Sequence, residues 1–281
     1  MEACLSSKKG IYMQLIKQNY LSKILEKKEQ EVKELIAAAK DPSHPLHSVQ
    51  KQSDGVFAKA LQANSFAVIA EVKRRSPSMG LFTETVDPVK LALDYCKGGA
   101  SAISILTDKE GFGGCLNDLK VVSKEVKKLY PNVAFLRKDF IIHPLQLAES
   151  LLAGASAVLL IASLLKESLP LFLEEAKRLG LETLVEVHDE KELELALKAK
   201  SPVIGINHRN LKTFDIELSL SKALKPKIPS GVLTVAESGI HTPLEAKQMR
   251  ALGFNAILVG EALMRSSSPD SLIQSFLEEA L

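Results

Sequence analysis

The chain has 281 residues, 46% of them hydrophobic and 25% charged. This composition is ordinary for a soluble globular protein, and the size fits one large domain with an added segment while leaving no room for two. With 36 Lys and Arg against 34 Asp and Glu, the formal net charge is +2, which excludes the lopsided basic surface that nucleic acid or a membrane would demand. The 3 cysteines, Cys4, Cys96 and Cys115, have neither metal-ligand nor disulfide spacing and point to a reducing cytosol. No apolar run approaches a membrane span. The segment from Met1 to Asn19 carries lysines but no continuous hydrophobic stretch, so a frayed terminus is expected there in place of a secretory signal.

The spacing of Leu21, Ile24, Leu25, Val32, Leu35 and Ile36 among Lys and Glu predicts an amphipathic helix from about Tyr20 to Ala39. Asp41-Pro42 stops it, and Ser43 to Gln52 reads as a polar connector. A second short helix is expected from Ser53 or Asp54 through Phe57 and Leu61 to Ala63. This front segment is too small for a core of its own and must pack on the remainder of the chain. From there about eight runs rich in Val, Ile, Leu and Ala succeed one another without period-two alternation, as expected of strands covered on both faces. Amphipathic helices are expected between them, starting near Pro88, Leu116, Pro144, Lys166, Asp189, Glu217, Pro243 and Pro269. Several end in a glycine leading into the next strand: Gly99, Gly154, Gly180 and Gly253. No Gly-x-Gly-x-x-Gly or Walker loop comes after the first strand, which argues against a doubly wound open sheet. The fold class is therefore α/β, a single (β/α)8 barrel, with residues 1–65 as an N-terminal helical extension and 66–281 as the barrel.

Most of the strands end in polar or charged residues: Glu71 and Lys73, Thr107, Lys138-Asp139, Ser163, Glu186 and His188, Asn207-His208-Arg209, Glu237-Ser238-Gly239, and Gly260-Glu261. Charge at the end of a buried strand costs several kcal/mol unless paired or used. A set at the same end of successive strands is what a barrel active site requires. Glu71 and Lys73 project from one side of their strand, as a catalytic pair or as a buried ion pair that fixes the barrel. Lys138 and Glu186 at equivalent strand ends favour proton transfer. Ser238-Gly239 and Gly260-Glu261 come after the seventh and eighth strands, where barrels commonly hold phosphate through backbone N–H groups. Ser76-Pro77-Ser78 reads as added hydroxyl donors or as a turn. His188 and His208 read equally as acid–base groups or as structural hydrogen bonders beside Asp189 and Arg209. Gly111-Phe-Gly-Gly-Cys115 reads as a flexible loop with one exposed aromatic, and nothing marks Cys115 as a nucleophile.

The motifs Ile69-Ala-Glu-Val-Lys-Arg-Arg-Ser-Pro-Ser78, Leu136-Arg-Lys-Asp-Phe140, Leu184-Val-Glu-Val-His188, Gly205-Ile-Asn-His-Arg-Asn-Leu211 and Val235-Ala-Glu-Ser-Gly-Ile240 closely resemble the indole-3-glycerol-phosphate synthase family. The resemblance runs from the front helix to the end of the chain. It implies a decarboxylating carbon–carbon lyase of tryptophan biosynthesis that closes the indole ring of 1-(2-carboxyphenylamino)-1-deoxyribulose 5-phosphate. Carbon dioxide and water are lost, and no cofactor or metal is used. By the same resemblance Lys138 is the general acid on the ketone oxygen. Lys73 and Glu186, with Glu71 close by, serve the dehydration, and Asn207, Arg209 and Glu237 hold the sugar hydroxyls and the reacting centre. Ser76, Ser238, Gly239, Gly260 and Glu261 match phosphate-binding positions, and Phe112 and Phe140 match aromatic walls. Gly111, Cys115, His208 and Met79 depart from the family pattern, which bears on loop behaviour and affinity and leaves the catalytic positions as the family has them. The expected partner is a phosphorylated small molecule, with no nucleic acid or membrane, in a cytoplasmic monomer or weak homo-oligomer. The rival readings are a sugar-phosphate isomerase of the phosphoribosylanthranilate isomerase type, which would place a cysteine where Lys73 stands, and a non-catalytic phosphate-binding barrel.

Overall fold

The computed structural model describes residues 21–49, 55–76, 80–81, 86–210 and 215–279. The tail before residue 21, Ser53-Asp54, Pro77, Ser78, Met79 and Leu211 lie outside the described residues. Eight parallel strands close into a barrel: β1 (Ala67–Val72), β2 (Ala102–Leu106), β3 (Ala134–Lys138), β4 (Ala157–Ile161), β5 (Glu182–Val187), β6 (Val203–Asn207), β7 (Leu233–Glu237) and β8 (Ala256–Val259). Neighbours in sequence pair in space, and β1 closes the ring against both β2 and β8. Helices such as Pro88–Lys97, Leu116–Lys127 and Pro243–Ala251 cover the outside. Gly99, Gly154, Gly180 and Gly253 all take positive φ, the left-handed turn that returns the chain to the next strand.

Successive side chains on a strand point to opposite faces, and this alternation sorts the core into two. Val68, Ala70 and Val72 face the outer helices, in a cluster with Ile103, Phe135 and Ile257. Ala67, Ile69, Leu136, Leu159, Leu184, Val203, Val235 and Leu258 fill the barrel interior. The same alternation carries Glu71, Lys138, Glu186, Asn207 and Glu237 to the inward face at the carboxyl ends of their strands. Register sets their neighbours: Leu106 lies opposite Lys138, Ile161 opposite Glu186, and Asn207 opposite Glu237. The mouth is consequently uneven: β2 and β4 end in apolar residues on either side of Lys138 at the end of β3, and β5, β6, β7 and β1 end in polar ones.

The front segment reaches both ends of this barrel. Residues 21–38 are helical, and their buried stripe is Ile24, Lys28 and Val32, while Ile36 is exposed. Ile24 packs with Phe140 and the apolar side of the mouth. A 3-10 turn, Pro45–Ser48, then passes beside helix Leu145–Leu152. Helix Val56–Gln62 finally inserts Phe57 and Leu61 into the interior cluster. Glu182, at the start of β5, accepts hydrogen bonds from the N–H groups of Phe57 and Ala58, so it caps this helix at the floor of the barrel.

Two elements differ from the sequence reading. Ahead of the helix expected near Lys166, which starts with a 3-10 turn at Lys166–Ser168 and continues as Leu169–Leu179, β4 runs straight into an extra short helix, Ala162–Leu165, and Lys166 turns at φ 48°. Ser163 therefore sits on a helix and not at a strand end. The glycine-rich segment after β2 holds a one-turn helix, Lys109–Phe112, capped by Asp108, and Phe112 is half-buried and not exposed. Its last residue, Cys115, is the N-cap of Leu116–Lys127.

Candidate active site

A single cavity at the carboxyl end of the barrel gathers thirteen of the fourteen residues proposed from sequence. Glu71, Lys73, Lys138, Glu186, Asn207 and Glu237 line it, together with Phe112, Phe140, Arg209, Ser238, Gly239, Gly260 and Glu261. The Ser76 side chain lies outside what the structure describes; its backbone lies in a two-residue strand, Arg75–Ser76, paired antiparallel with Gly80–Leu81. Leu106, Leu159, Ile161 and Leu258 also line the cavity and had no signal of their own beyond being strand residues.

The charges form two linked groups. Lys138 Nζ lies 2.9 Å from Glu186 Oε2 and 3.4 Å from Glu237 Oε2. Burial opposes the ammonium, but Glu186, Glu237 and Glu71 together outweigh it and hold Lys138 above the ordinary lysine value. Burial likewise opposes the Glu186 carboxylate, and Lys138 and His188 override it, holding Glu186 well below the usual carboxylate range. Glu237 goes the other way: burial, only partly relieved by Lys138 and reinforced by Glu186, pushes it up to about 8. The two neighbouring carboxyls are thus pushed in opposite directions. In the second group, Lys73 Nζ lies 3.1 Å from Glu71 Oε1.

Two glycines are needed for these positions by close approach. A Cβ on Gly205 would lie 1.9 Å from Glu237 Oε1, so the inward face of β6 must be bare for Glu237 to point at Lys138. A Cβ on Gly260 would lie 2.4 Å from Glu71 Oε1 and 3.0 Å from Lys73 Nζ. Gly260 therefore clears space for the ion pair as well as standing at the eighth strand end. Gly239 has φ 76°, and its missing Cβ faces Ile216, which pairs with Arg209 across the loop after β6. Ser238 shares the left-handed conformation, with φ 66°. Its carbonyl faces His208 Nδ1 at 2.8 Å, and His208 Nε2 lies 2.6 Å from Ser221 Oγ. A carbonyl only accepts, so Nδ1 carries the hydrogen and Nε2 accepts from the serine. Burial lowers His208, consistent with this neutral ring. His208 is a structural hydrogen bonder that pins the start of the β7 loop.

A buried group missed in the sequence supports the apolar side of the mouth. Lys28, 1% exposed on the front helix, places Nζ 2.9 Å from Asp139 Oδ1, 3.7 Å from Asp108 Oδ1 and 2.6 Å from Glu31 Oε2. Asp139 also pairs with Arg137 at 3.0 Å and accepts from Thr107 Oγ1 at 2.6 Å and from the Phe140 N–H at 2.8 Å. Asp108 accepts from the Gly111 N–H at 2.6 Å. One lysine from outside the barrel thereby joins the segment carrying Lys138 and Phe140 to the segment carrying Phe112. Arg74 and Arg75 add a second tie, to Asp118 and to the carbonyls of Lys109 and Glu110. Arg209 Nη2 lies 3.4 Å from Glu261 Oε2, and Arg265 Nε lies 3.4 Å from Glu261 Oε1.

A cavity lined by ammonium and carboxyl groups at the carboxyl end of a closed (β/α)8 barrel stands where enzymes of this fold class carry their active sites. A family model described as indole-3-glycerol phosphate synthase matches residues 21–276. The indole-3-glycerol phosphate synthase of Chlorobium phaeovibrioides is 44% identical over 258 residues, covering 90% of this chain and 97% of its own. That of Opitutus terrae is 41% identical over 259 residues, covering 91% and 97%. Among solved structures, tryptophan synthase subunit alpha from Legionella pneumophila aligns with a TM-score of 0.60 at 14% identity, covering 81% of this chain and 99% of its own; at that identity the likeness speaks for the fold alone. The chain belongs to the indole-3-glycerol phosphate synthase family, whose place is in tryptophan biosynthesis.

Proposed function

We propose that the chain is a decarboxylating carbon–carbon lyase, converting 1-(2-carboxyphenylamino)-1-deoxyribulose 5-phosphate to indole-3-glycerol phosphate, carbon dioxide and water in the cytoplasm. The observation that carries this reading is Lys138 Nζ between Glu186 and Glu237, in a cavity also lined by Leu106, Ile161, Phe112 and Phe140. The apolar residues suit an aromatic ring, and the polar ones suit a sugar phosphate. With the ring against those apolar residues, the ring carbon bearing the carboxylate attacks the ketone carbon, and Lys138 supplies a proton to the ketone oxygen as the carbon–carbon bond forms. The ring is then no longer aromatic, and loss of carbon dioxide from the same carbon restores aromaticity. Dehydration finishes the five-membered ring: the new hydroxyl leaves as water with a proton from Lys73, and Glu186 takes the proton from the methylene carbon next to nitrogen. Glu71, 3.1 Å away, orients the Lys73 ammonium for that role.

Glu237, kept protonated by burial, donates a hydrogen bond at the reacting centre, with Asn207 and Arg209 beside it. Ser238-Gly239 and Gly260-Glu261 hold the phosphate through backbone N–H groups, with Ser76 contributing from the β1 loop. The test is turnover of that substrate by the purified chain in buffer containing a metal chelator. The chain has 0 Trp, so indole emission from the product stands on a low background. Folded protein without turnover would remove the proposal, and loss of activity on adding chelator would remove the metal-free route.

A further inference from the structure

Lys138 stands between two buried carboxylates that differ in what lies behind them. Glu186 gives Oε2 to Lys138 at 2.9 Å, and its other oxygen, Oε1, lies 3.2 Å from His188 Nε2. Glu237 lies 3.4 Å from the same ammonium, and neither of its oxygens meets a hydrogen-bond donor in good geometry among the described residues; the His188 Nε2 contact to Glu186 is likewise an ion-pair approach and not an aligned hydrogen bond. The second nitrogen of His188, Nδ1, lies 3.0 Å from Glu192 Oε2, which also accepts from the His188 backbone N–H at 2.8 Å. Glu192 sits in the first turn of Glu190–Lys198, its own N–H bonded to Asp189 at 2.8 Å.

A ring with a carboxylate oxygen facing each nitrogen needs hydrogen on both, because a bare lone pair there would meet another lone pair. His188 is therefore an imidazolium. Burial works against that charge, but Glu186 and Glu192 override it and raise His188 to about 10. The cation that shares Glu186 with it is Lys138, on the other carboxylate oxygen. Across the polar cavity that His188 shares with Asn207, the ring of His208 is neutral, and Asp215 and Glu217 on the same cavity are acidic.

We infer that His188, held by Glu192, is a positioning residue that decides which carboxylate beside Lys138 carries the proton: Glu186 stays ionised and Glu237 is the neutral acid. This rests on Glu186 acting as the base in the reaction above. His188 touches no reacting atom in that scheme. It acts through Glu186, fixing one oxygen and leaving the other toward Lys138 and the cavity. Glu192 lies outside the catalytic cavity, so the ionisation of the base is set from the far side of the barrel wall.

The test combines a probe that needs no substrate with one that does. In ligand-free protein at neutral pH, infrared spectroscopy should show a buried protonated-carboxyl band that Glu237→Gln removes. In His188→Gln the band should shift, because Glu186 keeps only Lys138 as its cation and takes a share of the proton. In kinetics, the acid limb of kcat/KM should move to higher pH in His188→Gln by about one unit or more, the scale for losing a close opposite charge. Glu192→Gln should move it the same way by less. A uniform fall in activity with an unmoved limb, or a band insensitive to His188→Gln, would overturn the inference. If His188→Gln does not fold, Glu192→Gln decides it alone by the same two readouts. If no chain turns over the substrate, the infrared result still stands or falls independently of the proposed reaction.

Discussion

Replacing Lys28 by Met tests whether the front helix is a structural part of the active site. Met keeps most of the buried aliphatic stem and removes the charge. Asp139 keeps Arg137 at 3.0 Å, Thr107 and the Phe140 N–H. Asp108, 2% exposed, keeps the Gly111 N–H but loses the cation 3.7 Å away. Removing one partner of a buried ion pair costs about 3–5 kcal/mol. Because Asp139 is still paired and Asp108 can take up a proton, about 3 kcal/mol is the appropriate end of that range. At roughly 2–4 °C per kcal/mol for a chain of this size, the thermal midpoint at neutral pH should fall by about 6–12 °C.

The pH dependence supplies a sign check. Burial opposes the Lys28 charge, but Asp139 and Glu31 override it and raise its value, so its contribution is complete at neutral pH and is lost only as pH rises through that raised value. Burial also raises Asp108, which in the variant has lost the nearby cation that held it down. A raised carboxyl binds more protons in the native state, so the variant should regain stability as pH falls and the gap to the parent should narrow toward about pH 5. Thermal melts by circular dichroism at acid and neutral pH provide the assay. A midpoint within about 2 °C of the parent at neutral pH would refute the reasoning, since it corresponds to no more than about 1 kcal/mol.

Lys138→Met should lower kcat on the order of 10²-fold or more, the scale of a lost general acid, with little change in binding of a non-reactive substrate analogue; activity within a few-fold of the parent would make Lys138 a structural partner only. Gly205→Ala should push the Glu237 carboxylate off its position and lower kcat by up to about 10²-fold, read as kcat and KM on protein of checked thermal midpoint; an unchanged kcat would show that Glu237 does not need its present place. Glu237, raised to about 8 by burial, makes the native state bind more protons from the ordinary carboxylate range up to that value, so its contribution to stability falls as pH rises through that window. Glu237→Gln should flatten the corresponding decline in midpoint of the ligand-free protein, and an unaltered slope would contradict the assignment.

The strand-end charges were legible because strand alternation and βα rhythm are local. Glu71, Lys138, Glu186, Asn207 and Glu237 each break an apolar run at a position whose parity and order are readable from the chain itself. Lys28 was not, because its partners Asp108 and Asp139 are remote in sequence, and with Glu31 three residues on it reads as an ordinary solvated lysine. Gly205 reads as a weak point in a strand until Glu237 is seen to occupy the space beside it. Glu182 reads as a surface residue at the start of a strand, yet its partners are the N–H groups of Phe57 and Ala58. His188 and His208 were equivalent in sequence and part only in the fold: one faces two carboxylates, the other a carbonyl and a serine.

The central claim is that ring closure and loss of the carboxylate occur together on this chain. Substrate carrying a carbon label in its carboxyl group tests it most directly, with released carbon dioxide and indole-3-glycerol phosphate measured in the same reaction. Equal molar amounts of labelled carbon dioxide and indole product, both abolished together in Lys138→Met, are the expected result. Substrate consumed to a product that retains the label would mean isomerisation without decarboxylation, and would contradict the account.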